Sequence, residues 1–353
     1  MRPSVSTAAK WVGVATALAW AAVAAAQGVT IVVNGSGGSL AQVIEKVYEK
    51  PFFEETGIRV KATAATDHLG KLKAMMQTRN IEWDATELNA EGYPIAVENG
   101  WLEPLDWKFL DPNNELPAEA KPKYGVVAAT YSTILAVRTD KLPPGKEMKS
   151  WKDFWDVKTF PGPRSLRNDP TRNLEFALLA DGVPKENLYK VLSTDEGLNR
   201  AFRKLDEIKP HIVTWWEAGA QPVQFLADGE VHYASAWNGR ITVLAKKTPV
   251  KIVWNGGSLN LSYVVIPKGA KHVKEAHTYI KRTFLDPKRN AEFTAAILYP
   301  GFHPGIYKHL PEEVGRELPT YPANVAVQFA FDDEWWSKRQ DKIKERWNAW
   351  LLK

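Results

Sequence analysis

The sequence predicts an α/β protein of two lobes, each a mainly parallel sheet flanked by helices, joined by strands that cross from one lobe to the other. Three observations carry this. From Thr30 onward, strand-like and helix-like segments alternate, the pattern of βαβ units on a parallel sheet. The apolar run "GVVAATYSTILAVRTD" from Gly125 is too rich in β-branched residues and alanine for a surface helix and reads as crossing strands. Finally, about 327 of the 353 residues remain once an N-terminal leader is set aside, a length that normally divides into two cores. The division expected is leader 1–26, first lobe 27–136 plus 262–308, second lobe 137–261 plus 309–353.

The leader is expected from Arg2 and Lys10, an apolar stretch from Trp11 to about Val23, and Ala24-Ala25-Ala26 before Gln27. This is the layout of a secretory signal cleaved near Ala26, and export of the mature chain is expected. No other stretch approaches the roughly 18 apolar residues of a membrane span. Cysteine is absent, which excludes disulfides, thiolate metal sites and cysteine nucleophiles. Lys and Arg total 46 against 41 Asp and Glu, and loss of Arg2 and Lys10 leaves +3, too mild for a nucleic-acid binder.

In order, "VTIVVNGSGGSLAQVIEKVYEKPFFEETGIRVKAT" gives a strand over Thr30 to Val33, a glycine turn, a helix from Leu40 to about Glu55, and a strand over Ile58 to Ala62. A helix over His68 to Arg79, a strand near Trp83 to Leu88 and a helix from Tyr93 to Asn99 follow, then a proline-rich loop over Asp111 to Pro122. Beyond the crossing run come helices at Pro170–Ala180, Asp195–Ile208 and Gln221–Ala227, and the strand "EVHYASAWN". The run "VKIVWNGGSLNLSYVVIPKG" reads as two strands interrupted at Asn255-Gly256-Gly257 and offers a second crossing. Helices at Val273–Phe284 and Pro287–Ala296 precede "FDDEWWSKRQDKIKERWNAWLLK", an amphipathic helix expected to dock through Trp335, Trp336, Trp347 and Trp350.

Candidate binding residues fall where strands end and helices begin. In "NGSGGSL", Asn34, Gly35, Ser36, Gly37 and Gly38 allow backbone amides to approach a ligand, or form a turn that is merely tight. No lysine follows, and Leu40 stands where a dinucleotide fingerprint needs its third glycine. Trp237 ends a strand just before Asn238-Gly239, where cleft-lining side chains sit. Arg172 lies in the first turn of the helix predicted from Pro170, with Asp169 as N-cap, an unfavourable place for a cation. Either Asp169 and Glu175 balance it or it awaits an anion. Histidine spacing fits no metal site, no G-x-S-x-G elbow occurs, and neither metal nor cofactor nor catalytic residue is expected.

The segments "KPFFEETGIRVKAT", "PHIVTWWEAGAQPVQFLADGEVHYASAWNGR", "TPVKIVWNGG" and "VVIPKGAKHVKEAHTYIKRTFLDPKRNAEFTAAILYP" resemble the periplasmic substrate-binding proteins of ABC importers, in the spermidine/putrescine-binding branch. The resemblance implies a two-lobed, type II-like fold whose hinge closes over a small solute, and a monomer that delivers the solute to a membrane permease and its ATPase. It also implies a site in which aromatic residues flank the ligand chain and acids hold its ammonium groups. Trp237 and Tyr299 fall at aromatic positions and Asp169 at an acidic one, while Arg172, Ser262 and Asn260 replace residues of the polyamine pattern; Asn89, just past its strand, joins the set. A cation replacing an anion there disfavours a polyamine and favours a solute with an anionic end, such as an ω-amino acid, another carboxylate or a phosphonate. A binder of putrescine or spermidine proper, and an exported hydrolase or lyase using the same cleft, are the alternatives.

Overall fold

The computed structural model describes residues 28–353 except Ser36, Thr66, Pro117, Glu119, Ala120 and Phe302, so the predicted leader lies outside the described residues. One continuous sheet runs through the molecule. Its strands are β1 (Thr30–Gly35), β2 (Arg59–Ala64), β3 (Ala85–Asn89), β4 (Val126–Arg138), β5 (Arg164–Arg167), β6 (Ile212–Trp216), β7 (Tyr233–Trp237), β8 (Val250–Val265) and β9 (Phe329–Ala330). The order is β2-β1-β3-β8-β4-β7-β5-β6, with β9 on β8. At one end β2, β1 and β3 are parallel, and at the other β7, β5 and β6 are parallel. Between them β8 runs antiparallel to β3, β4 antiparallel to β8, and β7 antiparallel to β4. Two parallel triplets joined by a pair of long crossing strands is the architecture the alternation predicts.

The crossing strands form for local reasons. β4 is thirteen residues, "VVAATYSTILAVR", buried at all but two positions, and carries the near-continuous apolar sequence of a strand covered on both faces. β8 is one strand of sixteen residues and not two. Its ladder with β4 runs from Val126↔Val264 to Thr133↔Ser258 and resumes at Leu135↔Val253, so "WNGG" bulges out of register without ending the strand. Gly256 makes this possible at φ 73°, where a Cβ would meet the Trp151 ring at 2.8 Å. The Trp151 indole N–H donates to the Gly256 carbonyl at 2.8 Å and pins the bulge to the helix Trp151–Trp155.

Each triplet has its own core. Ile31, Tyr48, Phe52, Ala85, Tyr279 and Phe293 pack on the β1 side. Leu166, Leu174, Phe176, Phe202 and Leu205 pack on the β5 side together with the C-terminal tryptophans. The C-terminal segment is two helices, Asp333–Ser337 and Gln340–Leu351, where one was expected. Its four tryptophans are buried as predicted, and each indole N–H finds an acceptor: Ser193 Oγ, Glu175 Oε1, Asn168 Oδ1 and Asp206 Oδ1 for Trp335, Trp336, Trp347 and Trp350.

The helix predicted from Pro170 begins at Asn173. Asp169 does not cap it. Its carboxylate instead closes a tight turn by accepting from the Thr171 amide at 2.8 Å and hydroxyl at 2.5 Å, and Asn173 ties back to the Arg167 and Asp169 carbonyls. Arg172 is left before the helix at φ 70°, a conformation that costs an arginine on the order of 1 kcal/mol or more.

Candidate functional site

The carboxyl ends of the parallel strands from both triplets meet where β4 and β8 cross, the position at which open α/β sheets bind ligands. β5 ends in Arg167, β6 in Trp216 and β7 in Trp237, while β1 ends at Asn34-Gly35 and β3 at Asn89, two residues past Glu87. Trp237 is central. It stands edge-on to Trp216 at 5.6 Å between ring centroids and to Tyr131 of β4 at 5.9 Å, and Tyr131 stands edge-on to Tyr299 at 6.1 Å. The guanidinium groups of Arg240 and Arg167 lie 5.7 Å and 6.0 Å from its ring.

Tyr299 is held by the segment after the helix Pro287–Ile297. The Asn238 side chain donates to the Leu298 carbonyl at 3.1 Å, and the Thr130 amide donates to the Pro300 carbonyl at 2.7 Å. Burial raises the Tyr299 and Tyr131 hydroxyl pKa values, and among the charges that modulate them are Arg240 and Glu87 for Tyr299, and Arg172, Glu91, Arg167 and Glu87 for Tyr131. Acidic and basic groups thus both act on one aromatic cluster. Two buried polar atoms of this region, Arg240 Nε and Thr133 Oγ1, have no hydrogen-bond partner among the described residues. Thr133 is the β4 residue paired with Trp237. An unpaired buried donor costs about 1–3 kcal/mol, so their concentration around one indole marks a place where polar partners belong.

Arg172 lies beside this cluster, fully buried. All five of its N–H donors are engaged within the chain. Nη1 donates to Glu91 Oε1 at 3.2 Å and Thr171 Oγ1 at 2.9 Å, Nη2 to Glu91 Oε2 at 3.3 Å and Asn260 Oδ1 at 3.0 Å, and Nε to Asn260 Oδ1 at 3.1 Å. The guanidinium also lies 3.9 Å from the centre of the Phe331 ring. Burial alone would raise the Glu91 pKa, but the charge of Arg172 and its hydrogen bonds outweigh burial and hold it below the ordinary value. The ion pair joins the loop after β3 to the turn after β5. The balance sought for Arg172 in Asp169 and Glu175 comes chiefly from an acid 81 residues away.

The other predicted residues divide by environment. Asn34 is buried and donates to Thr86 Oγ1 at 3.0 Å, lies 2.9 Å from His68 Nδ1 and accepts from Thr63, so its side chain knits three elements together. Gly35 and Gly38 border open space, since a Cβ on either meets nothing within 4 Å; Gly37 lies between them, and Ser36 is outside the described residues. Asn89 is exposed, donates to Glu91 Oε1 at 2.9 Å and accepts from the Gly92 amide. Asn260 orients Arg172, and Ser262 donates to Glu87 Oε1 at 2.6 Å. Arg164 spends its guanidinium on the Phe154, Gly162 and Phe160 carbonyls and supports the β5 core.

Glu87, Glu91, Tyr131, Trp216 and Arg240 escaped sequence reasoning. Glu87 and Trp216 carry the same signal that singled out Trp237, a place at or near the carboxyl end of a parallel strand. Arg240 carries it in part, two residues after β7 on the helix Asn238–Ala245.

Residues 48–323 match the family described as "Bacterial extracellular solute-binding protein". The chain is 39% identical over 331 residues to the gamma-aminobutyric acid-binding protein of Pseudomonas aeruginosa, covering 93% of this chain and 92% of that one. Among solved structures it superposes on an ABC transporter substrate-binding protein from Bradyrhizobium japonicum USDA 110 with a TM-score of 0.83 at 32% identity, over 92% of this chain and all of the other. It superposes on a solved GABA receptor with a TM-score of 0.80 at 32% identity, over 91% and 97% of the two chains. The solved neighbours are two-lobed binding proteins, the architecture of the paired triplets here. The chain belongs to the bacterial extracellular solute-binding protein family, as a substrate-binding protein of an ABC transporter.

Proposed function

We propose that the protein binds a short ω-amino acid between its lobes, delivers it unaltered to a permease driven by an ATPase, and works as a periplasmic monomer after removal of residues 1–26. The observation that carries the reading is the pairing of Arg167 and Arg240 about Trp237 together with Glu87, whose charge reaches both Tyr131 and Tyr299. Arginines supply a planar fork for a carboxylate, Glu87 receives the ammonium group, and the three aromatic rings flank the methylenes between them. The gamma-aminobutyric acid-binding relative supports a zwitterion of this length. A diamine would set one ammonium group against two arginines, which disfavours putrescine and spermidine.

Within the predicted set, Trp237 and Tyr299 touch the solute, the Gly35–Gly38 loop and Asn89 rim the entrance, and Ser262 orients Glu87. Arg172, Asn260 and Asp169 act one step back. With its donors spent, Arg172 locks the loop after β3 to the turn after β5, and Asn260 and Asp169 shape that lock. The lobes divide near 136 and 262, at the crossing of β4 and β8.

Calorimetry on the mature protein tests the reading. 4-Aminobutanoate is expected to bind and be recovered intact, with putrescine, spermidine, dicarboxylates and phosphonates weaker. Arg167→Ala and Arg240→Ala should each lower its affinity 10- to 100-fold, about 1.4–2.8 kcal/mol, with the melting temperature of the solute-free protein little changed. Equal affinity for putrescine would refute the carboxylate site, and consumption of the solute would refute transport without chemistry.

A further inference from the structure

Trp237 has no slack behind it. A Cβ built on Gly219, in the turn between β6 and the helix Gln221–Asp228, would lie 2.2 Å from Cζ3 and 2.3 Å from Cε3 of the Trp237 indole. The same Cβ would lie 3.1 Å from Arg240 Nε, the buried donor that has no partner among the described residues. Carbon atoms in contact need about 3.5 Å or more, so the indole lies flush against backbone that carries no side chain. Trp216 and Tyr131 already pack against it in T-shaped pairs, at 5.6 Å and 5.9 Å between centroids.

We infer that Gly219 is a specificity-determining position: by carrying no side chain it seats the Trp237 ring deep in the β6–β7 wall and leaves Arg240 Nε open, and so sets how long a solute fits between the arginines and Glu87. Gly219 touches no solute and acts through Trp237. A methyl group there pushes the ring away from the turn, and on this inference into the solute space, shortening it by roughly the length of one methylene. Gly219 takes no positive φ, so alanine meets no backbone strain and the effect comes from the ring.

The inference rests on the ω-amino acid reading, and its test separates the two. Affinities of the parent and of Gly219→Ala are measured for 3-aminopropanoate, 4-aminobutanoate and 5-aminopentanoate, and for 1,3-diaminopropane, 1,4-diaminobutane and 1,5-diaminopentane. The variant should prefer the shorter homologue, its affinity ratio of four-carbon to three-carbon solute falling at least 10-fold relative to the parent. Adding Trp237→Phe to Gly219→Ala removes the ring atoms that the methyl strikes and should return the length preference toward that of Trp237→Phe alone. If the parent prefers diamines, the ω-amino acid reading falls while the length test proceeds on the diamine series. A crystal structure of Gly219→Ala supplies a readout independent of solute. An indole unmoved relative to the parent, or a length preference unchanged in both series, overturns the inference.

Discussion

At the scale of single residues, Glu175 shows how the β5 half carries a charge it does not expose. Its carboxyl accepts from the Trp336 indole at 2.6 Å and the Tyr189 hydroxyl at 3.1 Å, yet Oε2 has no partner among the described residues, and burial pushes its pKa from 4.5 to about 6 against the pull of those donors and of Arg172. A raised carboxyl pKa means that the folded chain holds a proton which the unfolded chain has released. The stability this group contributes is therefore complete below about 4.5 and is lost as pH rises through about 6. Glu175→Gln removes the effect. Denaturation of the two proteins between pH 4.5 and 7.5 should show the variant gaining on the parent by on the order of 2 kcal/mol, and parallel profiles would exclude it. Glu91, whose pKa is lowered, works with the opposite sign and cancels in the comparison.

At the scale of elements, the alternation of strands and helices was legible because each βαβ unit writes its own periodicity, and the helix Asp195–Ile208 falls on its predicted residues, capped by Thr194 with Asp195 and Glu196 in the first turn. Two elements were misread for one reason: a local signal was right and a distant partner overrode it. Asn255-Gly256-Gly257 is a turn sequence, but β4 continues opposite and Trp151 donates to the bulge, so β8 runs through it. Asp169-Pro170 is a helix start, but Arg172 is drawn to Glu91 and the helix waits until Asn173. The site was legible to the same degree. Trp237 was found as the last residue of a strand, whereas the Glu91–Arg172 pair joins loops that only the folded sheet brings together. The bulge is also where an element can be broken. Gly256→Ala, at φ 73° with Trp151 2.8 Å from the new Cβ, should cost about 1–3 kcal/mol in chemical denaturation.

For the molecule as a whole, the ion pair between the loop after β3 and the turn after β5 connects the two triplets outside the crossing strands. If it locks a closed form, X-ray scattering should show the parent contracting when 4-aminobutanoate is added. Glu91→Gln should contract less and bind more weakly, since a buried guanidinium deprived of its counter-charge is costly, on the order of 3–5 kcal/mol. A variant that closes and binds as the parent does would assign the pair to stability alone.

The junction between the halves is not a linker. β4 and β8 carry backbone hydrogen bonds to each other on both sides of the WNGG bulge, so the halves share one woven ribbon. A ribbon of this kind resists shear and stretching, because either would tear rungs from the ladder, and it yields most easily by flexing across its width. Under the proposed closure over a solute, such a ribbon would confine the two halves to a single bending path and return the same atoms to the same register each time.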